Sequence, residues 1–194
     1  MRRDEFKSDE EYEFYQWLLE AKEFGFISGY VYEPETFTIH EQVWFRKSIY
    51  MKTKVKQETV KLYNTADDLT YTPDFVFHLT DKGRILWRDN VFARSIQTQA
   101  NPNHVYVDVK GTFNQYGGDH RAFYLKQRAL FEVHKIFAHK IIPRSFFAKT
   151  FAPECMRWCK GRKVPTLTKL GTKAPNSRDY YEANLWRMQR TLEL

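Results

Sequence analysis

Apolar residues near the start of the chain recur at helical spacing. Phe14, Trp17, Leu18 and Ala21 form one stripe, widened by Tyr15 and Leu19. The spacing predicts a helix over residues 8–24, closed by Gly25. A period of two then takes over. Val43-Trp44-Phe45 and the stretch from Ser48 to Tyr63 are rich in β-branched, aromatic and Lys residues with partial alternation, so strands and hairpins are expected within 28–62. Asn64 to Asp68 reads as a turn or loop. A strand follows at Phe75–Leu79, closed by Asp81-Lys82-Gly83. Another is expected near Ile85–Trp87, before a Gln- and Asn-rich loop that runs through Pro102. His104–Lys110 is the clearest strand in the chain. Gly117-Gly118-Asp119 marks a flexible connection. Residues 122–139 are expected to form a second helix, with Phe123, Leu130 and Phe137 along its apolar stripe. Beyond 140 the pattern is broken by Pro143, Pro153, Pro165 and Pro175, and Arg178–Leu192 reads as a last helix. There is no internal repeat and no low-complexity tract.

Helix, strands, then helix predict an α+β (or α/β) domain with one mixed central sheet flanked by helices. A chain of 194 residues suits a core over 1–140, a β-rich hairpin insertion at about 38–70, and a basic C-terminal extension, 141–194, packed on that core. At 42% hydrophobic and 28% charged, the composition is that of a globular protein. Aromatic residues make up 17%, enough to fill a core and still supply stacking surfaces for bases; core is the expected use of most. No window approaches the run of about 20 apolar residues that spans a bilayer, so no membrane partner is expected. Met1-Arg2-Arg3-Asp4-Glu5 runs straight into charge without a signal-peptide pattern, and the expectation is a soluble protein of the cytoplasm. Two cysteines, Cys155 and Cys159, make no disulfide framework, and no second ligand pair has zinc-site spacing. The net charge of +7 is unevenly spread: the balance is −6 over residues 1–36, +2 over 37–120 and +11 over 121–194. A basic C-terminal part is what a phosphate-binding surface needs, and nucleic acid is the partner it suggests.

The candidate chemistry starts in the best strand. In Val105-Tyr106-Val107-Asp108-Val109-Lys110-Gly111, alternation puts the three valines on one face and Tyr106, Asp108 and Lys110 on the other. A carboxylate and an ammonium then point the same way at the strand's end, either as part of a site or as a solvated ion pair. Gly111 lets the backbone turn or approach a ligand closely. Upstream, Pro73 occupies a strand's first position and Asp74 enters the strand, unless the pair is simply a Pro-Asp turn. If the two strands are antiparallel neighbours, Asp74 and Asp108 converge. Two carboxylates and a backbone carbonyl, that of Val109, make a hard-oxygen site suited to Mg²⁺ or Mn²⁺.

Glu11 lies on the inward stripe of the first helix. It has a structural use, because Ser8-Asp9-Glu10-Glu11 is a capping box, and a role in the site stands beside it; Glu10 and Glu20 are weaker substitutes. On the second helix, Gln127 and His134 fall on the apolar stripe. Gln127 is either a ligand for the site or a phosphate, or a satisfied buried amide. Lys126 and Arg128 flank it, as phosphate contacts or as a solvated face. His134 and His139 are too isolated to form a metal pair. Lys160-Gly161-Arg162-Lys163 is a basic cluster suited to backbone phosphates or to solvent alone.

The order Glu11 on a helix, Pro73-Asp74, Asp108-Val109-Lys110, and a helix with Gln127 resembles the PD-(D/E)xK nuclease superfamily. Ser-x-x-Glu with Tyr15 and the ending Gly25-Phe26-Ile27 also resembles small phage-encoded nucleases of the Holliday-junction-resolvase kind. There a similar helix precedes strands here read as Tyr71-Thr72-Pro73-Asp74-Phe75 and Asp108-Val109-Lys110-Gly111. The resemblance covers about residues 8–138; residues 38–70, 80–103 and those after 140 depart from it. It implies a restriction-endonuclease-like core. It makes Asp74 and Asp108 the Mg²⁺ ligands, with Glu11 joining them directly or through water, and Lys110 the residue that orients the attacking water. The implied activity is metal-dependent endonucleolytic hydrolysis of DNA, selective for branched structures in phage replication or recombination, by a homodimer. The rival readings are an exonuclease or nickase of the same superfamily, and a basic nucleic-acid-binding protein without catalysis.

Overall fold

The structure, a computed structural model, describes residues 1–50, 58–87, 92, 94, 101, 103–111, 118–153, 158–159 and 162–163. The first helix, α1, spans Asp9–Glu23. Ser8 caps it: its Oγ accepts from the Glu11 N–H at 3.1 Å. In return the Glu11 carboxylate accepts from the Lys7 N–H and the Ser8 hydroxyl, satisfying donors that the helix start leaves open. The helix ends at Gly25, whose φ of 72° requires the left-handed region.

Four strands build the central sheet: β1 (Ile27–Tyr32), β6 (Phe75–Leu79), β7 (His104–Val109) and β8 (Ala138–Ile141), in the order β1-β6-β7-β8. The first three are antiparallel, and β8 joins β7 in parallel, so the sheet is mixed. A helix, α3 (Gly118–His134), lies between β7 and β8 in the chain. This is the connection a parallel pair needs. The fold is therefore α+β with a mixed sheet flanked by helices.

One face of the sheet carries the main core. Phe14, Trp17, Leu18 and Ala21 of α1 are wholly buried against Phe75, Phe77, Val105 and Val107. Trp17 stacks on Phe14 at 5.6 Å and meets Phe146 edge-on at 4.8 Å. Phe146 belongs to α4 (Pro143–Lys149), and Phe147, Phe151 and Ala152 are buried in the same cluster. Residues from Ile141 to Ala152 thus contribute side chains to this core. The other face carries a smaller cluster: Phe123 and Leu130 of α3 with Phe37, Ile39, Tyr71 and Ala138. Most of the described aromatic residues serve these two cores.

Between β1 and β6 the chain makes two further ribbons. Strands β2 (Phe37–His40) and β5 (Leu69–Tyr71) pair with each other, as do β3 (Val43–Tyr50) and β4 (Glu58–Ala66). The expected turn at Asn64–Asp68 is shorter than its sequence suggests, because Asn64, Thr65 and Ala66 remain in β4.

Two expectations are corrected. Residues Ile85–Trp87 are helical, not a strand: they close α2 (Asp81–Trp87). The Thr80 hydroxyl accepts from the Gly83 N–H at 3.2 Å and donates to the Gly25 carbonyl at 2.7 Å, starting the helix and tying it to the end of α1. Gly83 serves close packing rather than a turn, since a Cβ there would lie 2.1 Å from the Phe26 carbonyl oxygen. The second long helix spans 118–134 rather than 122–139, so Phe137 is not on its stripe. Lys135 takes a φ of 58° and its N–H donates to Phe131, turning the chain into β8. The strands β9 (Trp158–Cys159) and β10 (Arg162–Lys163) form a small antiparallel pair. The helix expected at Arg178–Leu192 lies outside the described residues. Among the described residues no helix is long and apolar enough to cross a membrane.

Candidate active site

The register of β6 against β7 pairs Phe75 with Val107, which puts Asp74 beside Asp108 one position further on. The Asp74 carboxylate folds across that step, and its Oδ2 accepts from the Val109 N–H at 2.6 Å. The conditional convergence of the two carboxylates is met by the antiparallel pairing. Val109, whose carbonyl is the expected third oxygen, stands at the same end of β7, buried on the opposite face like Val105 and Val107.

Asp108 is 5% exposed, so a solvated ion pair is not what this strand face holds. Its Oδ2 accepts from the Tyr71 hydroxyl at 3.0 Å. Its Oδ1 forms an ion pair with the Lys110 ammonium but receives no well-directed hydrogen bond. A buried carboxylate oxygen without a directed donor is costly unless something else compensates it. Asp74 shows the same tension. Burial, and then the charge of Asp108, push its pKa up to about 7, against the lowering effect of the Val109 N–H and Lys110. Burial and the same carboxylate hold the Tyr71 phenol far above its ordinary range, so it stays a donor.

These groups open onto a cleft of about 310 Å³. Asp74, Asp108, Lys110 and Tyr71 line it from the strands, and Lys126 and Phe123 line it from α3. Tyr71 is the residue that sequence reasoning missed. It stands in the motif before Asp74, but its part depends on the β2–β5 ribbon, which no local pattern announces.

Glu11 is 6% exposed, and its carboxylate is already engaged. Besides the capping contacts, its Oε2 accepts from the Tyr32 hydroxyl at 2.8 Å. Of the two open roles, capping is the one these contacts express. It remains near enough to add to the upward push on Asp74. The Glu10 carboxylate instead reaches the exit of β7, 2.9 Å from where a Cβ on Gly111 would stand.

Gln127 does not line the cleft; its Nε2 donates to the Ala138 carbonyl and ties α3 to β8. Arg128 is exposed and paired with Glu132 at 2.9 Å. Lys160 lies outside the described residues, and Arg162 and Lys163 form β10. Of the isolated histidines, His134 meets the Thr38 carbonyl, and His139 is buried, which pushes its pKa down to about 4.

Among the described residues no three His, Cys, Asp or Glu side chains cluster as metal ligands. Two adjacent carboxylates do fit a divalent ion that keeps several waters, which is how Mg²⁺ commonly binds. The raised pKa of Asp74 beside Asp108 marks negative charge that such an ion would neutralise. Comparison with family models, characterised proteins and solved structures finds no match for this chain.

Proposed function

We propose that this chain is a Mg²⁺-dependent endodeoxyribonuclease of the PD-(D/E)xK kind, with a restriction-endonuclease-like core, that hydrolyses phosphodiester bonds in the Asp74–Asp108–Lys110 cleft. One observation carries the reading: an antiparallel strand pair sets two carboxylates side by side in a cleft that also holds Lys110 and Lys126. Stability alone does not favour such a pair, because burial and mutual repulsion both oppose its ionisation.

A divalent ion, Mg²⁺ or Mn²⁺, held by Asp74 and Asp108 would supply a water of lowered pKa and neutralise phosphate oxygens. The chain's own groups do the rest. The Tyr71 hydroxyl fixes one oxygen of Asp108 and the Val109 N–H one oxygen of Asp74. Lys110 orients the attacking water and stabilises the charge that grows on the phosphoryl oxygens. Lys126 supplies a second cation for the same phosphate or its neighbour. Water adds to phosphorus, the bond to the leaving oxygen breaks, and that oxygen takes up a proton. The choice of DNA, the preference for branched or four-way junctions and a homodimer rest on the sequence resemblance and the basic charge.

The test is cleavage of linear, nicked, flapped and four-way DNA with Mg²⁺. The wild type should cut, and Lys110→Ala and Asp108→Asn should each lose about 100-fold or more, the scale of removing a group that stabilises transition-state charge. Products released stepwise from ends would identify an exonuclease. If the wild type cuts nothing, or both variants cut as well as it does, the proposal fails.

A further inference from the structure

The site leaves one large feature unused, the β3–β4 ribbon. Its two strands pair with each other and, among the described residues, with no other strand. Its described side chains, at positions 43–47, 62 and 64, are exposed. Trp44 is 54% exposed, Phe45 44% and Leu62 63%, and Arg46 and Lys47 are exposed beside them. Large apolar residues clustered at the surface mark an interaction site.

Charge points to the partner. Residues 43–66 carry six basic residues and one acidic, the main basic stretch outside the C-terminal part. Such a stretch attracts an anionic ligand. Lysine is depleted at protein–protein interfaces, so a lysine-rich stretch fits a phosphate backbone better than a protein surface. A two-stranded ribbon is also one of the elements that the major groove of B-form DNA admits, whereas the deep, narrow groove of RNA does not. Eight residues of strand extend about 27 Å, or roughly eight base pairs along a duplex.

The ribbon is also joined to the cleft. The Asp68 carboxylate accepts from the Gln42 N–H at 2.8 Å, and Asp67 accepts from the Asn64 side chain at 3.3 Å, so both strands are stapled where they enter β2 and β5. Strand β5 then delivers Tyr71 to Asp108.

We propose that the β3–β4 ribbon is a duplex-DNA-binding arm that grips the DNA flanking the cleft, with Trp44 and Arg46 on one face of the strand and Phe45 and Lys47 on the other, so that each face offers a cation to phosphate and a ring to the groove. Its use for cleavage rests on the nuclease reading, but its binding does not. The test is fluorescence anisotropy of the full chain with a labelled 30-base-pair duplex in EDTA over a series of salt concentrations. R46Q/K47Q should weaken binding about 10-fold or more and lower the salt slope by about 1.8, two phosphate contacts' worth. W44A/F45A should weaken binding with the slope unchanged. Unaltered circular dichroism and melting would show that the exposed substitutions leave the fold intact. The idea is overturned if the wild type binds no duplex, if both double variants keep wild-type affinity and slope, or if they change only the oligomeric state in sedimentation. Cleavage without ribbon-dependent binding would sink the arm alone; ribbon-dependent binding without cleavage would sink the nuclease alone.

Discussion

At pH 8 and without metal, Asp74 is ionised next to the buried carboxylate of Asp108, and the fold bears that cost. The pKa of Asp74 rises from 3.8 to about 7 through burial and the neighbouring charge. Between those values the unfolded chain has released its proton while the folded chain still holds it. The folded state then binds more protons, so stability falls as pH rises through this window and levels off above it. At about 1.4 kcal/mol per pH unit, the full difference is about 4 kcal/mol. Part of it belongs to the pair rather than to Asp74 alone, so Asp74→Asn should stabilise the metal-free protein at pH 8 by about 2–4 kcal/mol. Asparagine keeps an oxygen for the Val109 N–H. The assay is urea unfolding of both proteins in EDTA from pH 4 to pH 9, where the difference between the curves cancels other titrating groups. The gap should be small near pH 4 and grow up to about pH 7. Adding Mg²⁺ at ten times its Kd should stabilise the wild type by about 1.4 kcal/mol and the variant much less. Parallel curves, or a variant no more stable at pH 8, would refute the account of a strained carboxylate pair.

Three further substitutions separate site from scaffold. Tyr71→Phe keeps the ring in its cluster but removes the donor to Asp108 Oδ2, and should cost about 1–3 kcal/mol in metal-free protein, raise the Mg²⁺ needed for half-maximal cleavage, and slow cleavage. An unchanged Mg²⁺ requirement would remove Tyr71 from the site. Ser8→Ala should cost about 1 kcal/mol through loss of the α1 cap, with cleavage at saturating Mg²⁺ unaltered. Glu11→Gln should behave likewise; a higher Mg²⁺ requirement in that variant would return Glu11 to the metal.

What could be read from the sequence was whatever depended on neighbours in the chain. The α1 stripe, its Ser8 cap and the valine face of β7 all follow from spacing within one element. Asp74, 34 residues before Asp108, could be placed only on condition that two strands lay antiparallel. Tyr71 required a further pairing, of β5 with β2, and was passed over. The end of α3 was misplaced because the usual signals are absent: Lys135 fills the left-handed position that glycine or asparagine commonly takes. Gly83 misled in the opposite sense. In Asp81-Lys82-Gly83 it marks the close of a strand, whereas its lack of a side chain serves contact with Phe26 inside a helix start.

Lys126, Gln127 and Arg128 show the same limit at the scale of one turn. As neighbours in sequence they formed one candidate phosphate-binding group. Successive residues on a helix are turned about 100° from one another, so three in a row do not share a target. Lys126 lines the cleft, Gln127 ties the helix to β8, and Arg128 meets Glu132 in solvent. A strand treats the residues it aligns differently, because every second side chain returns to the same face. That is why Asp108 and Lys110 meet as expected while the helical trio divides. It is also why the ribbon, built from strands, can present cations and aromatics over a length that a turn of helix cannot match.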